Sequence, residues 1–302
     1  MRALKILSVA ALVLGCQSTP TPIARTWELP AGVKAVQVNG YEMAYVEQGS
    51  GVPVIFVHGA AVDYRYFSAQ MEPFSGKYRT IAVSLRRYYP EPWRGDGEFS
   101  LNQHVDDLME FIKQLNAGPV HLVGHSRGGT VALYAASKNP GMVRTLTFAE
   151  GGAGMAAFSP EDPALVQRRA VAMPAITERL KAGQTDAGLE IFIDYVSGPG
   201  AWKALPEAIK SSLRANAWTL TAGEKDTASW PPLSCGEVKR LAMPVLLLEG
   251  ERTPGTFKAI LDSVQVCLPR ATREVVKNSS HGTPRANPQG FNAAVMAFIA
   301  AH

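Results

Sequence analysis

Six short apolar runs decide how this chain can fold. "VPVIFVHG" (52–59), "RTIAVSL" (79–85), "VHLVGH" (120–125), "RTLTFAE" (144–150), "VLLLEG" (245–250) and "TREVVK" (272–277) have strand length and carry their apolar residues in continuous rather than alternating order. A strand with one face in water alternates; a strand covered on both faces does not, and that is the pattern of a parallel sheet between two helical layers. Helical periodicity fills the intervals. In "SLNQHVDDLMEFIKQLN" (100–116), Val105, Leu108, Phe111, Ile112 and Leu115 recur at helical spacing behind Ser100, a capping residue. "GGTVALYAASKNPG" (128–141) closes on Asn139-Pro140-Gly141, and "NPQGFNAAVMAFIAAH" (287–302) opens with Asn as cap and Pro in the first turn. From residue 34, "VKAVQVNGYEMAYVEQGSG" alternates around Asn39-Gly40, a β-hairpin signal. The predicted fold class is α/β, a doubly wound, mostly parallel sheet with helices on both faces.

One stretch breaks the rhythm. Between 153 and 237 no run reads as a strand, while "PALVQRRAVAMPAITERLKAG" and "LPEAIKSSLRANAWTL" read as helix. Such a length is far too great for a loop. The expectation is an inserted helical cap over 153–237, splitting the sheet-bearing core into 33–152 and 238–302.

The run ending at residue 125 continues as "GHSRGG" and then becomes helical. This is G-x-S-x-G between a strand and a helix, the context in which the motif carries chemistry. Ser126 is then exposed on a sharp turn, with Gly124 and Gly128 leaving room for strand and helix to pass closely. With "VHGA" after an earlier strand and a late histidine in "NSSHGTPRANPQGF", the chain resembles the α/β-hydrolase family in its serine-hydrolase branch, from about residue 34 to the end. Ser at position 126 disfavours the branches that use an Asp nucleophile. The resemblance implies Ser126 as nucleophile and His281, after the last strand, as base. It implies the backbone N–H groups of Ala60 and Arg127 as the oxyanion hole.

The acid departs from the family's commonest pattern. Thr253, in "VLLLEGERTPGTF", occupies the place where an Asp is expected, and threonine cannot carry the charge that stabilises an imidazolium. A family variant places the acid one strand earlier, and Glu150 ends that strand. Glu150 is therefore the expected acid. Glu251, which could equally pair with Arg252 or Arg86, and a dyad lacking an acid are the alternatives.

The remaining histidines read as structural: His58 in the oxyanion turn, His125 as packing within the elbow, and His104, His121 and His302 in helix, strand and tail. The stretch "SLRRYYPEPWRG" stands where the family often has Asp-x-x-Gly-x-Gly. Arg86, Arg87, Tyr88, Tyr89 and Trp93 either shape substrate choice there or simply pack. No metal-ligand spacing, P-loop or dinucleotide fingerprint occurs, so no cofactor is implied. The net charge of +4 is dispersed rather than gathered into a basic stripe, which argues against a nucleic-acid partner. The activity that follows is cleavage of a small-molecule carboxylic ester, lactone or amide through an acyl-enzyme. Carbon–carbon bond hydrolysis or a cofactor-free haloperoxidase-like reaction is the alternative on the same fold. A non-catalytic lipoprotein that binds a small molecule or protein is the alternative of another class. Oligomeric state is not specified.

The N-terminus reads as an export signal. "MRALKILSVAALVLGCQST" has basic Arg2 and Lys5, then an apolar run of about ten residues, too short to span a bilayer. It ends at Gly15-Cys16 and resembles a bacterial lipoprotein signal, implying cleavage after residue 15 and lipid on Cys16. Leu14 departs from that pattern and leaves ordinary signal cleavage as the alternative. Residues 16–32 form a Pro/Thr-rich tether, and a lipid at Cys16 is the chain's expected contact with a membrane. In an oxidising compartment Cys235 and Cys267 are a candidate disulfide; two buried thiols are the alternative. Intact-mass analysis of the exported protein should find a lipid-modified Cys16 at the new N-terminus, and Cys16→Ser should release the protein from membranes. A soluble product cut elsewhere would contradict this.

Overall fold

A computed structural model describes residues 27–152, 163–222 and 233–302; the predicted signal, the tether up to residue 26, and 153–162 and 223–232 of the predicted cap lie outside the described residues. Eight strands form one sheet: β1 (Lys34–Val38), β2 (Tyr41–Gln48), β3 (Pro53–Val57), β4 (Arg79–Val83), β5 (Val120–His125), β6 (Val143–Ala149), β7 (Val245–Gly250) and β8 (Thr272–Val276). Their order is β1-β2-β4-β3-β5-β6-β7-β8. The hairpin turns at Asn39-Gly40 as predicted, and β2 runs antiparallel to both β1 and β4. All other pairs are parallel.

Five of the six apolar runs have the predicted physical cause, whereas β8, at the sheet's edge, departs from it, with Val276 its one buried residue and Val275 exposed. Along β3, Ile55 and Val57 enter one buried cluster while Val54 and Phe56 enter the other, so each face of the strand is covered. The first face lies under α2 (Leu101–Leu115), α3 (Arg127–Lys138) and the helix Gly255–Cys267. The second lies under α1 (Ser68–Ser75) and the C-terminal helix Pro288–Ala300. Caps mark the helix ends: Ser100 Oγ accepts the Gln103 N–H at 3.1 Å, and Asn287 Oδ1 accepts that of Gly290 at 2.9 Å. The helices Ser68–Ser75 and Gly255–Cys267 have no counterpart among the predicted elements.

Between β6 and β7 the described residues 163–222 are helical and contain no strand, with α4 (Pro163–Lys181), α5 (Thr185–Ser197) and α6 (Glu207–Ala215) as the longer helices. Ile176, Leu180, Leu189, Trp202, Leu213 and Ala217 are buried in the same cluster as Val54 and Phe56. Polar contacts fix the segment to the core. Asn216 donates to Asp63 Oδ2 at 2.6 Å and accepts the Tyr89 N–H at 2.7 Å, while Ser280 Oγ donates to the Ser197 carbonyl at 2.9 Å. No described helix is long and apolar enough to cross a membrane.

The structure joins Cys235, in a one-turn helix before β7, to Cys267, at the end of α7 (Gly255–Cys267), with Cα atoms 5.3 Å apart. The bridge ties the chain's return from the helical segment to the core. Constraining a loop of 32 residues' separation is worth about 3–4 kcal/mol in chain entropy. Cys267→Ser should cost that order of stability in denaturant melts. The denatured, unreduced exported protein should titrate no thiol at either residue; two free thiols would exclude the bond.

Candidate active site

The predicted residues meet at the carboxyl ends of the parallel strands. Ser126 stands between β5 and α3 with φ +54° and ψ −123°, and its N–H is tied to the Ala149 carbonyl at 2.8 Å. Glycine is compulsory on either side: a Cβ at Gly124 would lie 2.3 Å from the Gly128 carbonyl oxygen, and one at Gly128 2.1 Å from that of Val57. The first contact is the predicted close passage of strand and helix. The second presses the start of α3 against β3.

His281 lies in the loop after β8, its Nε2 2.9 Å from Ser126 Oγ. Its Nδ1 faces Glu150 Oε2 across 3.5 Å. That separation is in ion-pair range and longer than a formed hydrogen bond; neither atom has a hydrogen-bond partner among the described residues. Because a carboxylate only accepts, the imidazole proton sits on Nδ1, which leaves Nε2 to accept from the serine hydroxyl. Burial holds His281 well below the usual imidazole range, and the neighbouring His125 adds to the depression, so the ring is neutral at neutral pH. Phe257 stacks on it at 3.8 Å.

Glu150 follows β6 with φ +50° and is fully buried. Its Oε1 accepts the Gly250 N–H at 3.1 Å and the Thr253 hydroxyl. Glu251 has a different setting. It is exposed and accepts the Asn278 N–H at 2.9 Å. Arg86, one of the two partners considered for it, is held by Asp107, with Nε at 2.8 Å.

The turn after β3 lies over Ser126. A Cβ at Gly59, the residue before Ala60, would approach Ser126 Cβ to 3.0 Å, while Arg127 opens α3 with its N–H at the helix N-terminus. His58 stabilises this turn: Nε2 accepts the Leu85 N–H at 3.0 Å, and Nδ1 donates to the Gly59 carbonyl at 2.8 Å. Burial pushes His58 down to about 4, in keeping with a neutral structural ring.

His125 does more than pack. Its Nε2 donates to the His281 carbonyl at 2.6 Å, its ring stacks on Tyr66 at 5.1 Å, and it lies 3.8 Å from Glu150 Oε2. Neither this bond nor the contacts of Phe257 and Thr253 were legible beforehand; each partner lies a hundred residues or so away, or on an unpredicted helix. His104 accepts from the Arg127 guanidinium and donates to the Arg86 carbonyl, His121 pairs with Thr145, and His302 is exposed. The basic-aromatic stretch after β4 is largely occupied with itself: Arg87 pairs with Glu91, Tyr88 is buried against His58, and Trp93 stacks on Phe99. Packing accounts for these three side chains. Among the described residues, one group has donor atoms close enough to hold a metal: His125, Glu150 and His281, all within 4.8 Å. Two of its nitrogens are already engaged, His281 Nε2 with Ser126 and His125 Nε2 with the His281 carbonyl.

A serine-bearing turn between strand and helix, with a histidine and a carboxylate on neighbouring strand ends, stands at the carboxyl edge of the sheet, where open α/β sheets bind their ligands. The chain belongs to the alpha/beta hydrolase family, whose model matches residues 54–294. It is 24% identical over 280 residues to (E)-2-((N-methylformamido)methylene)succinate hydrolase of Acinetobacter baylyi, covering 88% of this chain and 97% of the relative. It is 25% identical over 280 residues to 2-(acetamidomethylene)succinate hydrolase of Mesorhizobium japonicum, covering 88% and 94%. Among solved structures, a malate-bound thermophilic esterase from Thermogutta terrifontis superposes with a TM-score of 0.72 at 23% identity, covering 90% of this chain and 99% of that one. That likeness is one of fold.

Four buried histidines titrate low. His58 and His121 are pushed down to about 4 by burial, and His104 and His281 fall well below 6.5 for the same reason. The unfolded chain therefore takes up these protons first. The stability of the neutral rings is complete above pH 6.5 and is lost as pH falls toward 4. Calorimetry should show Tm falling by several degrees across that window; a flat profile would contradict buried neutral imidazoles.

Proposed function

We propose that the protein is a serine hydrolase that cleaves a small carboxylic ester or related acyl compound through a Ser126–His281–Glu150 triad. The observation that carries this reading is the 2.9 Å contact of His281 Nε2 with Ser126 Oγ, backed by the buried Glu150 carboxylate. Ser126 attacks the carbonyl as its proton passes to Nε2. Glu150 stabilises the imidazolium that results, and the Nδ1–Oε2 pair tightens as charge develops. The Ala60 and Arg127 amides receive the oxyanion, each such donor being worth about 3–4 kcal/mol in the transition state. His281 then protonates the leaving group, and water, activated by the same ring, hydrolyses the acyl-enzyme.

The two long-matching relatives are named as hydrolases of succinates bearing an acylated nitrogen, which supports a small acyl substrate and keeps amides beside esters. The helical segment between β6 and β7 acts in this reading as a cap over the site. The protein works outside the cytoplasm, tethered through Cys16.

A fluorophosphonate probe should label one site, and Ser126→Ala should abolish labelling; labelling that survives the substitution would mean the motif is misread, and a parent protein that takes no label would point to a binding protein. Across p-nitrophenyl esters of graded chain length, Glu150→Gln should leave the fold intact and lower kcat by about 10³- to 10⁴-fold, while Glu251→Gln changes it little. The reverse pattern would transfer the acid role to Glu251.

A further inference from the structure

We infer that Thr253 is a positioning residue whose hydroxyl aims the Glu150 carboxylate at His281. The place where the family's usual acid is missing thus holds the group that orients an acid carried one strand earlier. This rests on the reading of Glu150 as the triad acid.

The hydrogen-bond directions around Thr253 follow from what each atom can donate. Its N–H closes a tight turn on the Gly250 carbonyl at 3.0 Å, bringing the side chain back toward β7. Its Oγ1 accepts the Gly250 N–H at 3.0 Å, so its own proton is free to go to Glu150 Oε1. The acceptor is a carboxylate with no proton to give, and the hydroxyl is therefore the donor. The Gly250 N–H reaches the same Oε1 at 3.1 Å. Two donors thus hold one oxygen, and the other, Oε2, is left facing His281 Nδ1 at 3.5 Å. The terminal torsion of a glutamate is soft, so nothing within the side chain itself selects that orientation. Charge-assisted bonds to one oxygen do.

The two donors differ in how freely they could vary. Gly250 is dictated by the fold, since a Cβ there would lie 2.5 Å from the Ser280 carbonyl oxygen, in the loop that carries His281. Its amide remains whatever the chemistry requires. The Thr253 hydroxyl belongs to a side chain and is the donor that sequence can supply or withdraw. A second ring also competes for the carboxylate, His125 Nε2 at 3.8 Å from Oε2, though its proton is held by the His281 carbonyl at 2.6 Å. With Oε1 clamped, Oε2 is left with the His281 Nδ1 at 3.5 Å as its nearer imidazole neighbour.

The test uses the full-length protein, p-nitrophenyl acetate as substrate and four variants: Thr253→Val, which keeps the branched shape without the hydroxyl; Thr253→Ser, which keeps the hydroxyl; Glu150→Gln; and Glu150→Gln with Thr253→Val. Losing one bond to a charged group should lower kcat roughly 10- to 100-fold in Thr253→Val, with KM within about threefold and Tm within a few degrees of the parent. Thr253→Ser should restore kcat to within about threefold. Because the hydroxyl acts through Glu150, adding Thr253→Val to Glu150→Gln should change kcat by less than about threefold. A Thr253→Val enzyme with parental kcat, or one whose effect multiplies that of Glu150→Gln in full, would overturn the inference while leaving the triad standing. Parental kcat in Glu150→Gln would instead remove the triad reading, and this inference with it. Should Thr253→Val not fold, Thr253→Ala against Thr253→Ser makes the same comparison.

Discussion

The rest of the site depends on a contact that only glycine allows, the close approach of Gly128 to the Val57 carbonyl. It lets α3 begin directly against the end of β3, so the first turn of that helix and the turn after β3 share one small space around Ser126. From there backbone hydrogen bonds step along the sheet edge. The Ser126 N–H reaches the Ala149 carbonyl, the Glu150 N–H that of Leu248, and the Glu251 N–H that of Val276. Each bond joins the residue just past one strand to the next strand in the sheet. The positions of serine, carboxylate and the β8 loop are thereby fixed by main chain before any side-chain contact is made.

Local strain collects on the same edge. Aside from glycine and asparagine, the described residues with positive φ are Ala61, Arg87, Ser126 and Glu150, which follow β3, β4, β5 and β6 respectively. Such conformations cost on the order of 1–3 kcal/mol each and persist where the surroundings over-determine them. Here they do. Ala61 is fully buried, Arg87 is pinned through both its N–H and its guanidinium to Glu91, and Ser126 and Glu150 are held by the edge bonds. The sheet's large two-sided core underwrites the strain at its rim.

What could be read in advance follows the range over which each signal acts. The strands, the Asn39-Gly40 turn and the caps at Ser100 and Asn287 are local, and they stand where the sequence placed them. The juxtaposition of Ser126 and His281 is not local, but a strand–turn–helix motif and a late histidine mark its two halves separately. Glu150 is legible only through the family resemblance, in which a variant places the acid one strand before position 253, itself a threonine here. The unread contacts depend on three-dimensional register. The ion pair of Arg86 with Asp107 spans strand end and helix, and the bond from His125 to the His281 carbonyl joins residues 156 positions apart. The helix Gly255–Cys267 went unread because its start, Thr-Pro-Gly-Thr, carries turn residues rather than a side-chain cap.

The bond between Glu150 and the Gly250 amide spans 100 positions of chain and closes the excursion between β6 and β7 at its base. Both ends of that excursion are anchored in adjacent parallel strands, whatever lies between them. For a segment so pinned, doubling its length costs only about 0.6 kcal/mol in closure entropy. The excursion is therefore a cassette. Evolution can lengthen it, trim it or exchange it for another at little thermodynamic penalty, while the register of the strand ends beneath stays as it is.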